Sequence, residues 1–452
     1  MLKKNEIHNI EIVDLSSEGS GVGKVDNFII FVQGALAGDI CEVKIVKVKK
    51  NYAYGIILNI IEPSTFRVES KCDVFKKCGG CTLQHLEYKA QLTLKQKKVE
   101  DCIKRIGNIQ DLDIEPTVGT DHPYHYRNKV QIPVGSKNGK IEMGFYAKNS
   151  HDIVSSENCL IQHTSNEEIL KIIKLHMEKY NIPAYSEQSH TGCVRHIFLR
   201  VGHITKEIMV CVVIKGKNSK EVKNKYELVE RLTKVPNMTS ILLNYNNDKT
   251  NVIMGDKIEV IFGKDHITDY IDNIKFKISA KSFYQINSVQ TEKLYKNVLE
   301  FLNPEKNDVV LDAYCGIGTI SLFLARHVKK VYGVEVVEDA INDAIENSNI
   351  NNICNAEFIV GKAEEVIPEK FKKNDIDMIV LDPPRKGCHE SLLNAILNIE
   401  PEKIVYVSCD PSTLARDLKW LCKENYSVSR VTPYDFFPQT MHIETIVLLT
   451  KS

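Results

Sequence analysis

Asp308-Val-Val-Leu-Asp-Ala-Tyr-Cys-Gly-Ile-Gly318 decides the fold. Residues 308–314 read as a short strand of the kind buried on both faces, and the two glycines that follow introduce helical spacing over 319–327. Further along, Lys330-Val-Tyr-Gly-Val-Glu335 repeats the strand and 338–349 the helix. More strands are expected at 377–381, 403–408 and 444–450, with a helix over 412–421. Strand–helix alternation of this kind builds βαβ units around a mostly parallel sheet, with ligands at the carboxyl ends of the strands. The expected fold class is therefore α/β, with a Rossmann-like domain over 277–452.

The chain before that point reads differently. Residues 1–64 carry short apolar stretches (28–32, 43–48, 56–61) between glycines at 19, 21, 23, 34 and 38, the pattern of a small OB-type barrel. Lysines alternate with valines and isoleucines over 43–50 around one phase slip, which implies a bulge. Residues 65–276 form a less regular α+β region. A helix is expected over 87–106, a hairpin at 129–134 and 140–146 through Lys137-Asn-Gly139, and strands at 196–201 and 207–214.

With 452 residues the chain is too long for one domain of about 100–200 residues. Its 59 Lys+Arg against 59 Asp+Glu give no overall charge, so the whole-chain balance does not identify a polyanionic partner. A local excess does exist: residues 41–105 hold 14 Lys/Arg against 7 Asp/Glu, with Tyr52 and Tyr54 among the lysines, a pattern suited to nucleic acid. Hydrophobic content of 43% excludes a mostly disordered chain. No apolar run approaches the ~18 residues of a membrane span, and residues 1–10 lack the apolar core of a secretory signal. A cytoplasmic monomer with no membrane association is the expectation.

Gly316 and Gly318 allow close backbone approach to a ligand, and Glu335, 17 residues after Gly318, ends the next strand where a carboxylate can accept from ribose hydroxyls. A dinucleotide fingerprint would need a third glycine, but Ser321 stands there. A mononucleoside cofactor such as S-adenosylmethionine (SAM) fits better. The loop and acid resemble those of Rossmann-like SAM-dependent methyltransferases, and the final strand resembles that family's antiparallel sheet edge.

Two further motifs end strands: Asp382-Pro-Pro-Arg385 and Ser408-Cys-Asp-Pro411. The double proline can hold a carboxylate and a carbonyl beside a planar base. Cys409 precedes a helix, whose N–H groups are expected to lower its thiol pKa and favour the thiolate. With Phe283-Tyr-Gln-Ile-Asn287 and His442-Ile-Glu-Thr445, these motifs resemble the RNA (uracil-5-)-methyltransferase family. The N-terminal barrel is similar to that family's RNA-binding TRAM domain. Asp410 stands where Asn is also common in the family, which puts only local hydrogen bonding in question.

The resemblance implies Cys409 as nucleophile and Glu444 as the base that removes the C5 proton. His442 is expected to give structural support and Asp312 to orient the loop. Gln285 and Asp382 are expected at polar edges of cofactor or uracil, and Tyr314 and Glu335 at the cofactor. An N-methyltransferase would need neither Cys409 nor Glu444, and a non-catalytic RNA-binding protein would not retain the whole set.

Thirteen cysteines are many for a reducing compartment. Most are expected to be buried small hydrophobes, Cys102, Cys211 and Cys354 among them. Cys72, Cys78 and Cys81, with Cys159 as fourth thiolate, instead form a metal-type group flanking Gly79-Gly80. Spacing alone leaves zinc and a [4Fe–4S] cluster equal. The family resemblance implies the [4Fe–4S] cluster, and it tilts the RNA partner towards 23S ribosomal RNA over transfer RNA. Arg127, Lys129, Arg195 and Arg200, near Tyr126 and Phe198, are expected to meet a splayed RNA loop.

Overall fold

The computed structural model describes residues 2–156, 158–423 and 425–451. Strands β1 (Ile7–Leu15), β2 (Gly21–Val25), β3 (Phe28–Gln33), β4 (Ile40–Val48) and β5 (Tyr52–Glu62) close into a barrel in the order β1-β2-β3-β5-β4. Its interior is filled by alternate residues, among them Ile10, Ile12, Ile30, Val32, Val43 and Ile45. The β4–β5 register shifts between Ile45 and Lys47, where the lysine alternation slips.

A long α1 (Tyr88–Cys102) follows and runs into a π-helical turn at Ile103–Gly107. The helical spacing continues to Ile106, but α-helix gives way to the π turn, and a Cβ on Gly107 would lie 3.3 Å from Ala415 O. Strands β6 (Lys129–Lys137), β7 (Lys140–Tyr146), β8 (Ile153–Ser155), β9 (Val194–Val201), β10 (Ile208–Ile214), β11 (Met238–Tyr245) and β12 (Lys257–Gly263) form a second sheet, ordered β12-β11-β10-β9-β6-β7-β8. Helices α2 (Ser165–Lys179) and α3 (Lys225–Leu232) pack on one face. The other face gives Phe198, Met209 and Leu242 to a core shared with the hairpin β13 (His266–Ile271) and β14 (Ile274–Ser279).

The third sheet follows α4 (Ser288–Leu302). Its units are β15 (Val309–Asp312), α5 (Thr319–Ala325), β16 (Lys330–Glu335), α6 (Glu338–Ile350), β17 (Ala356–Val360), α7 (Ala363–Lys370), β18 (Met378–Leu381), α8 (Glu390–Ile399), β19 (Lys403–Ser408), α9 (Pro411–Leu421), β20 (Tyr426–Tyr434) and β21 (Glu444–Lys451). The order is β17-β16-β15-β18-β19-β21-β20, with β21 alone running antiparallel to its neighbours. Packing does not divide at 276/277. The β13–β14 hairpin joins the core beneath α4 and α5, while Val99 and Ile103 of the α1 segment join the core on the opposite face. These elements lie outside the βαβ pattern, so periodicity does not reveal their place. No helix among the described residues is long and apolar enough to cross a membrane.

Candidate active site and cysteine cavity

The loop after β15 is pinned on both sides: Ala313 N–H donates to Val380 O (3.1 Å) and Cys315 N–H to Val334 O (3.0 Å). Gly316 and Gly318 take φ of +54° and +80°, a region glycine enters without strain. A Cβ on Gly318 would lie 3.0 Å from the Phe358 ring, whereas one on Gly316 would meet nothing within 4 Å. The loop is therefore tight on its protein side and open at Gly316. Asp312 is fully buried; Oδ2 accepts from Ser321 (2.6 Å) and Oδ1 has no partner among the described residues. Burial pushes its carboxyl up to about 6.

Glu335 is half-buried at the end of β16 and accepts from Val337 N–H (3.0 Å). Tyr314 is half-buried beside Cys388, its phenol pushed up by burial. Gln285 is half-buried ahead of α4, its carbonyl accepting from the Asn128 amide (2.8 Å). Two residues the motifs do not identify complete this region: Tyr295, buried on α4, shares a 2.7 Å hydrogen bond with Thr319 of α5. The charges of Asp382, Asp312 and Glu444 all reach the Tyr295 phenol, so it lies near all three carboxyls.

Antiparallel pairing of β19 with β21 sets Ser408 against Thr445, and one further step of the same register sets Cys409 opposite Glu444. Asp382 follows β18, the parallel neighbour of β19. Glu444 is 5% exposed, and its carboxyl is pushed well above the usual carboxylate range by burial and by Asp382, against the opposing charge of Arg385. Burial and Asp312 raise Asp382 to about 7. Arg385 is the cation that sequence reasoning left without a role, although it stands inside the quoted motif.

The lowered thiol pKa expected of Cys409 is corrected: burial first, then Glu444 and Asp382, push the thiol up to about 11. The helix N–H groups that were to lower it are already engaged. Asp410 caps α9, its Oδ1 accepting from Ser412 N–H (2.8 Å) and Thr413 N–H (3.2 Å). An Asn oxygen would accept the same two bonds. The Pro-Pro loop is held from behind by buried Asp417, which accepts from Cys388 N–H (2.8 Å), the Tyr406 hydroxyl (2.7 Å) and Arg416 Nε (2.8 Å). His442 is exposed and meets Phe437 edge-on at 5.7 Å.

Cys72, Cys78, Cys81 and Cys159 line one cavity of about 270 Å³, with Arg127 and Gln131 of the β6 edge on its wall. Burial raises the Cys78, Cys81 and Cys159 thiols, Cys81 to about 12, and the neighbouring sulfurs add to the rise in these three. Gly80 N–H donates to Cys78 Sγ (3.3 Å). No three His, Cys, Asp or Glu side chains among the described residues converge on a single-ion site. Of the cysteines expected to be buried, Cys211 is buried and Cys102 half-buried, but Cys354 is exposed in the turn after α6.

Two arginines expected at RNA are not available to it. Arg195 is 5% exposed, donates to Asn246 O and Asp248 O (2.8 Å each) and lies over the Tyr185 ring. Arg200 is 1% exposed and donates to Ser282 O (2.8 Å). Both sit on β9, which is covered on both faces; the charged letters in its sequence conceal this. Lys129 and Arg127 are half-buried. On the barrel, Phe31, Tyr52 and Tyr54 form an aromatic group with centroids 5.5–6.0 Å apart, and Tyr54 is 41% exposed.

A seven-stranded sheet with its last-formed strand inserted antiparallel, a glycine loop after the first strand and an acid ending the second defines the SAM-dependent methyltransferase fold, here joined to an N-terminal barrel. Residues 87–452 match the tRNA (Uracil-5-)-methyltransferase family and residues 2–58 the TRAM domain, so the chain belongs to the tRNA (uracil-5-)-methyltransferase family and is an RNA (uracil-C5-)-methyltransferase. It is 49% identical over 451 residues to an uncharacterized RNA methyltransferase of Clostridium tetani, covering 99% of this chain and 97% of that one. It is 46% identical to one of Bacillus cereus, covering 100% and 98%. Among solved structures, the tRNA (uracil-54, C5)-methyltransferase of Pyrococcus abyssi in complex with S-adenosyl-L-homocysteine superposes with a TM-score of 0.79 at 30% identity, covering 98% of this chain and 100% of that one.

Proposed function

We propose that the protein methylates C5 of a uridine in RNA, 23S ribosomal RNA being the favoured substrate, through a covalent bond between Cys409 and C6. The observation that carries this reading is that Cys409 and Glu444 are the next residues beyond the last β19–β21 pair, at the carboxyl end of the parallel sheet, with the Glu444 charge reaching the thiol. Uracil C5 is a weak nucleophile; a thiolate at C6 turns it into one end of an enolate. The Cys409 proton passes to a neighbouring carboxylate, a role that Asp382 suits, since its charge reaches the thiol and burial pushes its carboxyl up to about 7. SAM, when bound, supplies the methyl group. Glu444 as carboxylate then takes the C5 proton, the C–H electrons form C5=C6, and the C6–S bond breaks to release the Cys409 thiolate. Burial keeps this carboxyl basic enough for the task.

The open side of Gly316, the half-buried Glu335 and the unpartnered Asp312 Oδ1 suit a nucleoside cofactor, with Gln285, Tyr314 and Gly318 bordering it. The Pyrococcus abyssi neighbour's complex with S-adenosyl-L-homocysteine supports SAM here. That neighbour's tRNA substrate also supports transfer RNA as a second reading. Four thiols around a volume, rather than around a point, suit a polynuclear group, so Cys72, Cys78, Cys81 and Cys159 would hold a [4Fe–4S] cluster. Anaerobically purified protein should carry about four irons and broad absorption towards the blue; zinc in their place would overturn the cluster. The TRAM barrel, with Tyr54 exposed, is the proposed RNA platform.

Glu444→Gln tests the mechanism. It should accumulate a methylated protein–RNA adduct because elimination is blocked, and wild-type turnover would remove Glu444 from the reaction. Mapping 5-methyluridine in ribosomal and transfer RNA of a deletion strain separates the two substrates.

A further inference from the structure

Residues 435–442 lead from β20 to Glu444, and their backbone carbonyls are gripped in turn by side chains and N–H groups from other parts of the chain. Phe436 O accepts from Asn287 Nδ2 (3.1 Å), Phe437 O from Lys95 Nζ (3.2 Å) and Pro438 O from the Tyr126 hydroxyl (3.1 Å). Gln439 O accepts from both Thr82 and Leu83 N–H (2.9 Å each), and Met441 O from Lys98 Nζ (3.1 Å). Lys95 is itself fully buried in an ion pair with Asp435. The donors come from α1, the cysteine loop, the approach to β6, and the turn before α4.

Gln439 is the centre of this arrangement. It is 3% exposed and takes φ of +71°, a left-handed conformation that a non-glycine residue keeps only when its surroundings hold it. Buried Gln91 of α1 holds it from both ends: Gln91 Oε1 accepts from Gln439 N–H (3.1 Å), and Gln91 Nε2 donates to Gln439 Oε1 (3.1 Å). The same Nε2 also donates to Leu83 O (3.1 Å) and Leu86 O (2.8 Å), so one amide bridges the cysteine loop and the Glu444 loop. Thr82, which donates to Gln439 O, directly follows Cys81. None of these hydrogen bonds reaches residues 408–417, whose own supports are the Asp410 cap and the Asp417 network; only the Lys98 charge also acts on Asp410.

We propose that Gln91 and Gln439 are positioning residues for Glu444, coupling the four-cysteine loop to the step in which the C5 proton leaves. This rests on the reading of Glu444 as the base. Disturbing the brace should slow elimination and leave addition of Cys409 to C6 intact.

Gln91→Leu keeps the volume and removes the bonds. With labelled SAM and total RNA from a deletion strain, its adduct should form within about twofold of the wild-type rate, while release slows roughly 10–100-fold, the scale of a sub-ångström to ångström misplacement. The adduct visible on a denaturing gel should rise accordingly. Hydrogen exchange should quicken at 439–444 and not at 408–417. Should Gln91→Leu fail to fold, Lys98→Met, which loses the bond to Met441 O and a longer one to Ser17 O, should show a smaller shift in the same direction. Cys78→Ser should also quicken exchange at 439–444, a readout independent of turnover. Addition and release falling together, or no adduct accumulating, would overturn the proposal. If Glu444→Gln accumulates adduct and Gln91→Leu does not, only this inference fails; if Glu444→Gln accumulates none, the base itself is misassigned.

Discussion

Cys409 and Glu444 lie one step beyond the last β19–β21 pair, close enough for the carboxyl to act on the thiol, yet the chain holds them by different means. The proposed nucleophile is positioned locally: Ser408, Asp410, Thr413 and Asp417 supply its cap and the backing of the Pro-Pro loop within a few turns of the same helix. The proposed base is positioned at long range, through donors on α1, the cysteine loop and the turn before α4, more than a hundred residues away in sequence. A local support survives in any chain that forms α9. A long-range one exists only after the barrel, the cysteine loop and the third sheet have assembled, and so makes proton removal sensitive to the state of the whole molecule.

The largest expected effect comes from Cys409→Ala, which should abolish the adduct and lower turnover on the order of 10³-fold or more. Residual activity near that of the wild type would break the comparison by removing one of its members. Asp417→Ala should mirror the loss of the Gln91 brace. It leaves the Tyr406 hydroxyl and Cys388 N–H without their acceptor, at a cost of about 1–3 kcal/mol. Single-turnover gels should then show slower adduct formation with release unchanged. If release slows instead, the two supports are not separate.

Tyr54→Ala on the barrel should weaken RNA binding by about 1–3 kcal/mol, one stacked base, without altering the partition between addition and release. Filter binding and the same gels measure both. The last effect is on stability, and it leaves the partition between addition and release untouched. Asp382 has a folded-state pKa near 7 against an ordinary 3.8. A raised carboxyl pKa means the folded state keeps its proton where the unfolded state loses it, so stability falls as pH rises from about 4 to 7. Asp382→Asn should therefore melt at a higher temperature than the wild type at pH 8, with the gap closing towards pH 4. A gap that widens on acidification would contradict the burial argument.

How much of this was legible in the sequence follows the same division. Local features could be read directly: the β15 strand and its glycine loop, the lysine phase slip in β4, and the Ser408–Pro411 strand end all lie within ten residues of the signals that reveal them. What depended on assembly could not be read. Arg195 and Arg200 look like surface cations until β9 is seen covered on both faces. The thiol of Cys409 looks activated by a helix until Asp410 is found capping that helix and two carboxyls are found facing the sulfur. Gln91 and Gln439 carry no motif, and their contact spans 348 residues.

The central claim is a bond between the Cys409 sulfur and the pyrimidine ring. RNA transcribed with 5-fluorouridine carries fluorine where the departing proton should be, and Glu444 cannot remove it. Incubated with SAM and ribosomal and transfer RNA so substituted, the protein should be trapped as a stable RNA conjugate. Digestion and mass spectrometry should then place a methylated fluorouridine on residue 409. Full recovery of unmodified Cys409 peptide from both RNAs, or a conjugate at another residue, would contradict the account.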